Sequence, residues 1–538
     1  MQPNHRTMAA PSAPHRPHRR LTTWTANVTV LAASVTALLG GCAHSLPVRE
    51  AVGVVPEANA PLPASVATTP TETNPNLRDF DFVVEKLRAN YAGWETKVTD
   101  AIRPKLDALT AQLRAEAADA TPERFTDILR DWLAFFGDRH ISAAPMSAVQ
   151  PSPHDAAAAA ANTPRRDWTE ATVHERLAEL GDRRDLLEGI WNIDDRYRVG
   201  VLRDPDKDGA FTGVVLATAS EAWSAGQVKA EFTRLQDGTI AMLFRAGDHS
   251  EHRQTATLSA DGCVLRSDRW GPWLRELPAL PASAMADLRD RVAPSGELFL
   301  RPLSDRTLWL RLPDFDGSRA QPLADLLASA AERLATCPNL LIDLRDNGGG
   351  SDFVCQPLMP WIYTRPIYGV GVELRASADN LRLRERLTDE LRPQQPGIAQ
   401  KLDDQNARMR RNLGGYILNG ETPFTIERMD EVRPFPRRVA ILIDGAGSSG
   451  EQFLLAARQS RKVTLFGQRN SAGVLDFANV VAMDTPSGRH RMFWATSRSL
   501  RLPEDPVDPD GIAPDLRTPP AVIDPVGHAQ AWLERQVD

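Results

Sequence analysis

Val439-Ala440-Ile441-Leu442-Ile443-Asp444-Gly445-Ala446-Gly447-Ser448-Ser449-Gly450-Glu451-Gln452-Phe453-Leu454-Leu455-Ala456 reads as a strand, a turn and a helix in immediate succession. The unbroken apolar run predicts a strand buried on both faces, and the small residues after it can turn sharply. A hydroxyl at Ser448 would then stand at a helix N-terminus, where free N–H groups and the helix dipole favour developing negative charge. That suits an attacking serine whose neighbouring amide steadies an oxyanion. It equally suits a capping role, with Ser448 or Ser449 closing the helix and Glu451 completing a capping box.

Working outward, Leu340-Leu341-Ile342-Asp343-Leu344-Arg345-Asp346-Asn347-Gly348-Gly349-Gly350-Ser351-Asp352 is a second buried strand, running into three glycines that can aim backbone amides at a ligand. Leu308–Leu312 and Val463–Phe466 read as further strands, Leu323–Ala335 and Glu451–Arg458 as helices. Strands alternating with helices predict a covered α/β sheet from Leu298 onward. A polar, Arg-rich insertion spans about 368–433.

Residues 188–272 differ in texture. Tyr197–Val201, Gly213–Thr218, Val228–Leu235, Ile240–Phe244 and Gln254–Leu258 are short strand patterns separated by turn signals, and predict a small antiparallel barrel or sandwich. From Asp79 to Phe136 the apolar spacing is helical, as at Phe80, Val83, Leu87 and Tyr91. At the N-terminus a basic stretch, His15 to Arg20, precedes an apolar stretch from Val28 to Leu39 that is short of the ~20 residues a bilayer span requires. The expected organisation is a signal peptide over 1–42, a tether over 43–74, a helical region over 75–146, a linker over 147–168, a β-rich domain over 169–295 and an α/β core over 296–538. Cys263, Cys337 and Cys355 form no disulfide framework, although Cys337 and Cys355 flank one strand and turn and could pair.

Taken together, Asp343-Leu344-Arg345-x-Asn347-x-Gly349-Gly350 and Ser448-Ser449-Gly450-Glu451 resemble the tail-specific (C-terminal processing) serine peptidase family, which includes the tricorn core. The resemblance covers roughly 296–365 and 434–520, with a weaker match over 79–146. It implies a multidomain α/β chain with a crotonase-like core, a ββα superhelix. It makes Ser448 the nucleophile, with the amides of Ser449 and Gly349 as oxyanion hole. In one branch of the family the general base is a lysine in a Gly-Lys pair, but Gly473 is followed here by Val474. Lys462 is the only one of the seven lysines after Ser448, and stands at the mouth of a strand.

The other branch uses histidine. His140, in Gly137-Asp138-Arg139-His140-Ile141, matches that branch's Asp-x-His, and an imidazole can accept a serine proton near neutral pH. His490 and His528 are the alternatives. Val507-Asp508-Pro509-Asp510-Gly511-Ile512-Ala513-Pro514-Asp515 resembles the segment whose glutamate supports the histidine in that branch. Asp508 stands in register, one methylene shorter, with Asp510 and Glu504 as substitutes. No PDZ-like segment is recognisable.

The resemblance implies a serine-type endopeptidase acting on peptide or protein substrates, with no metal or organic cofactor. A non-catalytic ligand-binding protein on the same fold and a small-molecule esterase are the rival expectations. A net charge of −7 leaves no footprint for nucleic acid. Leu39-Gly40-Gly41-Cys42 resembles the bacterial lipoprotein cleavage box. It implies lipidation at Cys42, membrane contact through that lipid alone, and a periplasm-facing place in the cell envelope, at the outer membrane.

Overall fold

The computed structural model describes residues 74–146 and 160–535, apart from 206, 208, 236–238, 260, 268–270 and 279–287. The expected signal peptide, the tether and most of the first linker, with Cys42, lie outside the described residues.

The core is a six-stranded sheet in the order Phe299–Ser304, Thr307–Arg311, Asn339–Asp343, Arg438–Leu442, Val463–Gly467, Leu516–Arg517. The first two strands pair antiparallel and all later neighbours are parallel. Alternation along each strand explains the two layers beside it. Leu308, Leu310, Leu340, Ile342, Val439 and Ile441 pack with Leu323, Leu327, Phe453 and Leu454 on one face. Trp309, Leu341, Ala440, Leu442 and Phe466 meet Val526, Ala529 and Leu533 of the Pro525–Arg535 helix on the other. Both faces are covered, so the strands read as continuous apolar runs.

A second sheet holds Ser142–Pro145, His490–Ser499, Val372–Arg375 and Tyr416–Leu418 in that order, and Phe477–Asp484 also pairs antiparallel with His490–Ser499. Helices Pro75–Asn90, Arg103–Ala117 and Pro122–Ala134 bury Phe80, Leu87, Phe125 and Trp132 with Phe477, Met492 and Trp494 of that sheet. The first and last of these helices carry side-chain N-caps. Asn74 Oδ1 accepts the N–H groups of Asn76 and Leu77, and Thr121 Oγ1 accepts that of Arg124. The last two residues before Ser142–Pro145 are Ile141 and His140.

The β-rich region closes on itself. Eight antiparallel strands from Gly189–Ile193 to Trp273–Leu277 form a barrel, the first pairing the last. Its interior is packed with Trp191, Trp273, Phe211, Phe232 and Val215. Lys229 is fully buried there, with Nζ 3.7 Å from the Trp223 ring centroid and 3.9 Å from that of Tyr197. Cys263, Val264 and Leu274 of the barrel pack with Val292 and Ile523 of the core, and Arg266 donates to Gln468.

The Arg-rich insertion is ordered structure. It supplies a two-stranded ribbon (Ile367–Val370 with Phe424–Glu427), two strands of the second sheet, and helices Ala378–Leu391 and Pro396–Arg411. Cys263, Cys337 and Cys355 are buried free thiols, so Cys337 and Cys355 do not pair. Among the described residues, no helix is long and apolar enough to cross a membrane.

Candidate active site

The Arg438–Leu442 strand ends at the C-terminal edge of the parallel sheet, where ligands of open α/β sheets characteristically bind. Six residues later Ser448 sits at φ 52° and ψ −119°, a conformation costing an L-residue about 1–3 kcal/mol, and the Ser449–Ala457 helix starts at once behind it. This is a sharp strand-to-helix turn that lifts the Ser448 side chain off the backbone around it.

Glu451 holds the turn. Its fully buried carboxylate accepts the Ser448 N–H (3.1 Å), the Ser471 hydroxyl (2.5 Å) and the N–H groups of Gly473 (2.7 Å) and Val474 (2.9 Å). The capping-box half expected of Glu451 is therefore present, and the same carboxylate staples the 471–474 loop to the Ser448 turn. Ser449 spends its hydroxyl on the Gly350 carbonyl (2.9 Å). The Ser448 side chain faces the Glu451 N–H as the acceptor half of the same box, and it lines a large cleft of about 2320 Å³.

The glycine turn closes on Ser448 from the neighbouring strand. Asp343 and Arg345 form a bidentate pair (2.9 and 2.7 Å) below it, with Arg311 at 3.5 Å. Burial works to raise the Asp343 carboxyl, but Arg345 and Arg311 hold it below the usual range. Asn347, also buried, donates to the Leu312 carbonyl (3.0 Å) and accepts the Gly349 N–H (2.9 Å). Gly349 has φ 94°, and a Cβ there would stand 2.8 Å from Ser448 Cβ and 2.9 Å from the Ser449 nitrogen. The turn can approach the serine this closely only because the position is glycine. The Gly349 N–H already serves Asn347. The Ser449 N–H, first in its helix, has no intrahelical acceptor and opens at Ser448.

His140 lines the same cleft as Ser448. Its Nδ1 lies 2.6 Å from the Phe477 carbonyl, which can only accept, so Nδ1 carries the proton and Nε2 is left as the acceptor. Asp138 Oδ1 accepts the His140 backbone N–H (2.8 Å), while Asp138 Oδ2 accepts the Tyr91 hydroxyl (2.8 Å). Burial, with Asp138 beside it, pushes the Tyr91 phenol far up. No hydrogen bond joins His140 to Ser448 in the cleft.

Asp508 does not pair with the imidazole. Its Oδ1 accepts the Leu475 N–H (2.6 Å), its own N–H goes to Asp476 Oδ2 (2.8 Å), and its Oδ2 is buried without a partner. Burial pushes the Asp508 carboxyl up to about 6, with Asp476 and Asp138 adding to the shift. Asp510 and Glu504 are exposed. The acceptor that orients His140 is thus a backbone carbonyl, which no residue type announces.

The other candidates lie apart. Lys462 precedes the Val463–Gly467 strand, at the sheet edge opposite Ser448, and donates to the Arg433 carbonyl (2.6 Å). His490 is buried against Thr126 (2.9 Å), and His528 lies on the helix covering the far face of the sheet. Among the described residues no cluster of His, Cys, Asp and Glu could hold a metal.

No curated protein sequence matches the chain. Solved structures that resemble it include mature CPAF complexed with lactacystin (13% identity, TM-score 0.46, 86% of this chain and 97% of that one). The photosystem II D1 C-terminal processing protease is another (13%, TM-score 0.33, 84% and 95%). A lipoprotein from Streptococcus agalactiae is a third (9%, TM-score 0.34, 88% and 100%). Residues 306–518 match the model of peptidase family S41, and that segment is what the chain shares with the family.

Proposed function

We propose that the protein is a serine peptidase in which Ser448 attacks a peptide carbonyl and His140 is the general base. The observation carrying this reading is Ser448 on a strained turn, in one cleft with an imidazole whose Nδ1–H is tied to a backbone carbonyl. His140 Nε2 would take the serine proton and return it to the leaving amine. The Ser449 amide, with the glycine turn around Gly349, would face the oxyanion. Asp508 would act at one remove, fixing the Leu475 amide two residues before the Phe477 carbonyl. We read the core as crotonase-like, and the chain as lipid-anchored through Cys42 on the periplasmic side of a bacterial outer membrane.

A fluorophosphonate probe should label the purified protein at Ser448, and casein digestion should accompany labelling. No labelling, under conditions that label a control serine hydrolase, would leave a ligand-binding protein. Labelling with cleavage of nitrophenyl esters but of no peptide would leave an esterase.

A further inference from the structure

The wall of the cleft opposite the glycine turn comes from the insertion. Leu383, Arg386, Leu387 and Glu390 of the Ala378–Leu391 helix line it, at the i, i+3, i+4, i+7 spacing of one helix face, with Arg384 beside them. Arg384 is only 4% exposed, yet its guanidinium is barely used. Nη2 donates to Gln405 Oε1, while Nε and Nη1 have no acceptor. Among the described residues no carboxylate pairs with it. Burial, with Arg408 repelling, pulls its pKa down to about 10. Gln405 is itself fixed by donating to Asn419, another residue of the cleft wall.

A buried cation without a counter-ion costs several kcal/mol, and one bond to a glutamine does not offset that. We infer that Arg384 is a carboxylate-binding residue of the cleft, taking a carboxylate of the peptide that lies across Ser448. The inference rests on the peptidase reading for the identity of that peptide. The planar fork of a guanidinium matches a carboxylate, and a single buried positive charge matches a single negative one, whereas a phosphate monoester brings nearly two. Because Nε and Nη1 are shielded from water, the carboxylate must draw the side chain forward from the wall. The pair then forms out of water, where it is strongest. The carboxylate has two possible sources in a peptide, an acidic side chain or the chain terminus.

The experiment uses the full chain with Ser448→Ala, so that nothing is cut, and calorimetric titration with three peptides. These are acetyl-tetra-alanine acid, the same peptide as its amide, and acetyl-Ala-Ala-Glu-Ala amide. The acid should bind about tenfold or more tightly than the plain amide, the range of a charge-assisted bond. Adding Arg384→Met should erase the difference without lowering Tm, since it removes an uncompensated charge. Glutamate-peptide binding that matches the acid extends the site to side chains, and binding that matches the amide restricts it to the chain terminus. Equal binding of acid and amide, whether both bind or neither does, overturns the inference. So does a preference that survives Arg384→Met, or a fold that collapses with both Arg384→Met and Arg384→Gln. Binding preference is read without catalysis, so a failure of the peptidase reading would show separately in the fluorophosphonate assay.

Discussion

Two adjacent serines differ in what their hydroxyls do. Ser449 Oγ is committed to the Gly350 carbonyl, whereas Ser448 Oγ opens on the cleft. Ser448→Ala should abolish probe labelling and hydrolysis. Ser449→Ala should keep most activity and lose about 1 kcal/mol of stability, read by urea unfolding, for one hydrogen bond. His140→Ala should cost several orders of magnitude in kcat/KM, and Lys462→Ala, at the far edge of the sheet, should cost nothing measurable. Asp508 offers a test by pH. Its folded carboxyl is pushed up to about 6, above an unfolded value near 3.9, so the folded chain holds the proton more tightly between those values. Raising the pH through that window removes a stabilising proton, and Asp508 should lower stability by about 2–3 kcal/mol between pH 4 and 6.5. Asp508→Asn should remove that contribution, seen as a difference from wild type in urea midpoints across the same pH range. Parallel curves for the two proteins would show that the carboxyl titrates normally.

At the scale of elements, the site depends on how closely the glycine turn approaches the Ser449–Ala457 helix. Gly349→Ala would set a methyl 2.7 Å from the Gly447 carbonyl oxygen and force a positive φ on alanine. Hydrolysis should fall at least a hundredfold while circular dichroism stays native, because the turn can retreat without unfolding the sheet. Both elements were legible in the sequence, since the 340–344 and 439–443 runs are buried on both faces and carry an unbroken apolar signal. The individual barrel strands were legible too, but closure was not. It depends on Gly189–Ile193 meeting Trp273–Leu277, a pairing that alternation within one strand does not encode. The insertion helices were missed because Arg, Asp, Glu and Gln dominate them, leaving little apolar stripe to detect. In the proposed site, Ser448 and His140 are candidates that side-chain chemistry can suggest. The Phe477 carbonyl is not among them, because every residue has one, and Asp508 was assigned a contact that this carbonyl makes instead.

For the whole molecule, the anchor expected at Leu39-Gly40-Gly41-Cys42 gives the clearest test. Cys42→Ser should leave an unprocessed precursor lacking acyl mass, and a wild-type mature protein without such mass by mass spectrometry would remove the lipoprotein proposal. The rest of the molecule brings distant stretches of chain together. His140 comes before the barrel, the glycine turn and Ser448 come after it, and the Phe477 carbonyl later still, 337 residues beyond the histidine it orients. Contacts of such long range form late in folding. A chain emerging N-terminus first from a ribosome carries His140 long before the carbonyl that holds its ring. Until residue 477 has emerged and paired, the imidazole is free to turn, and on the proposed mechanism a half-made protein would be unable to cut its neighbours or itself.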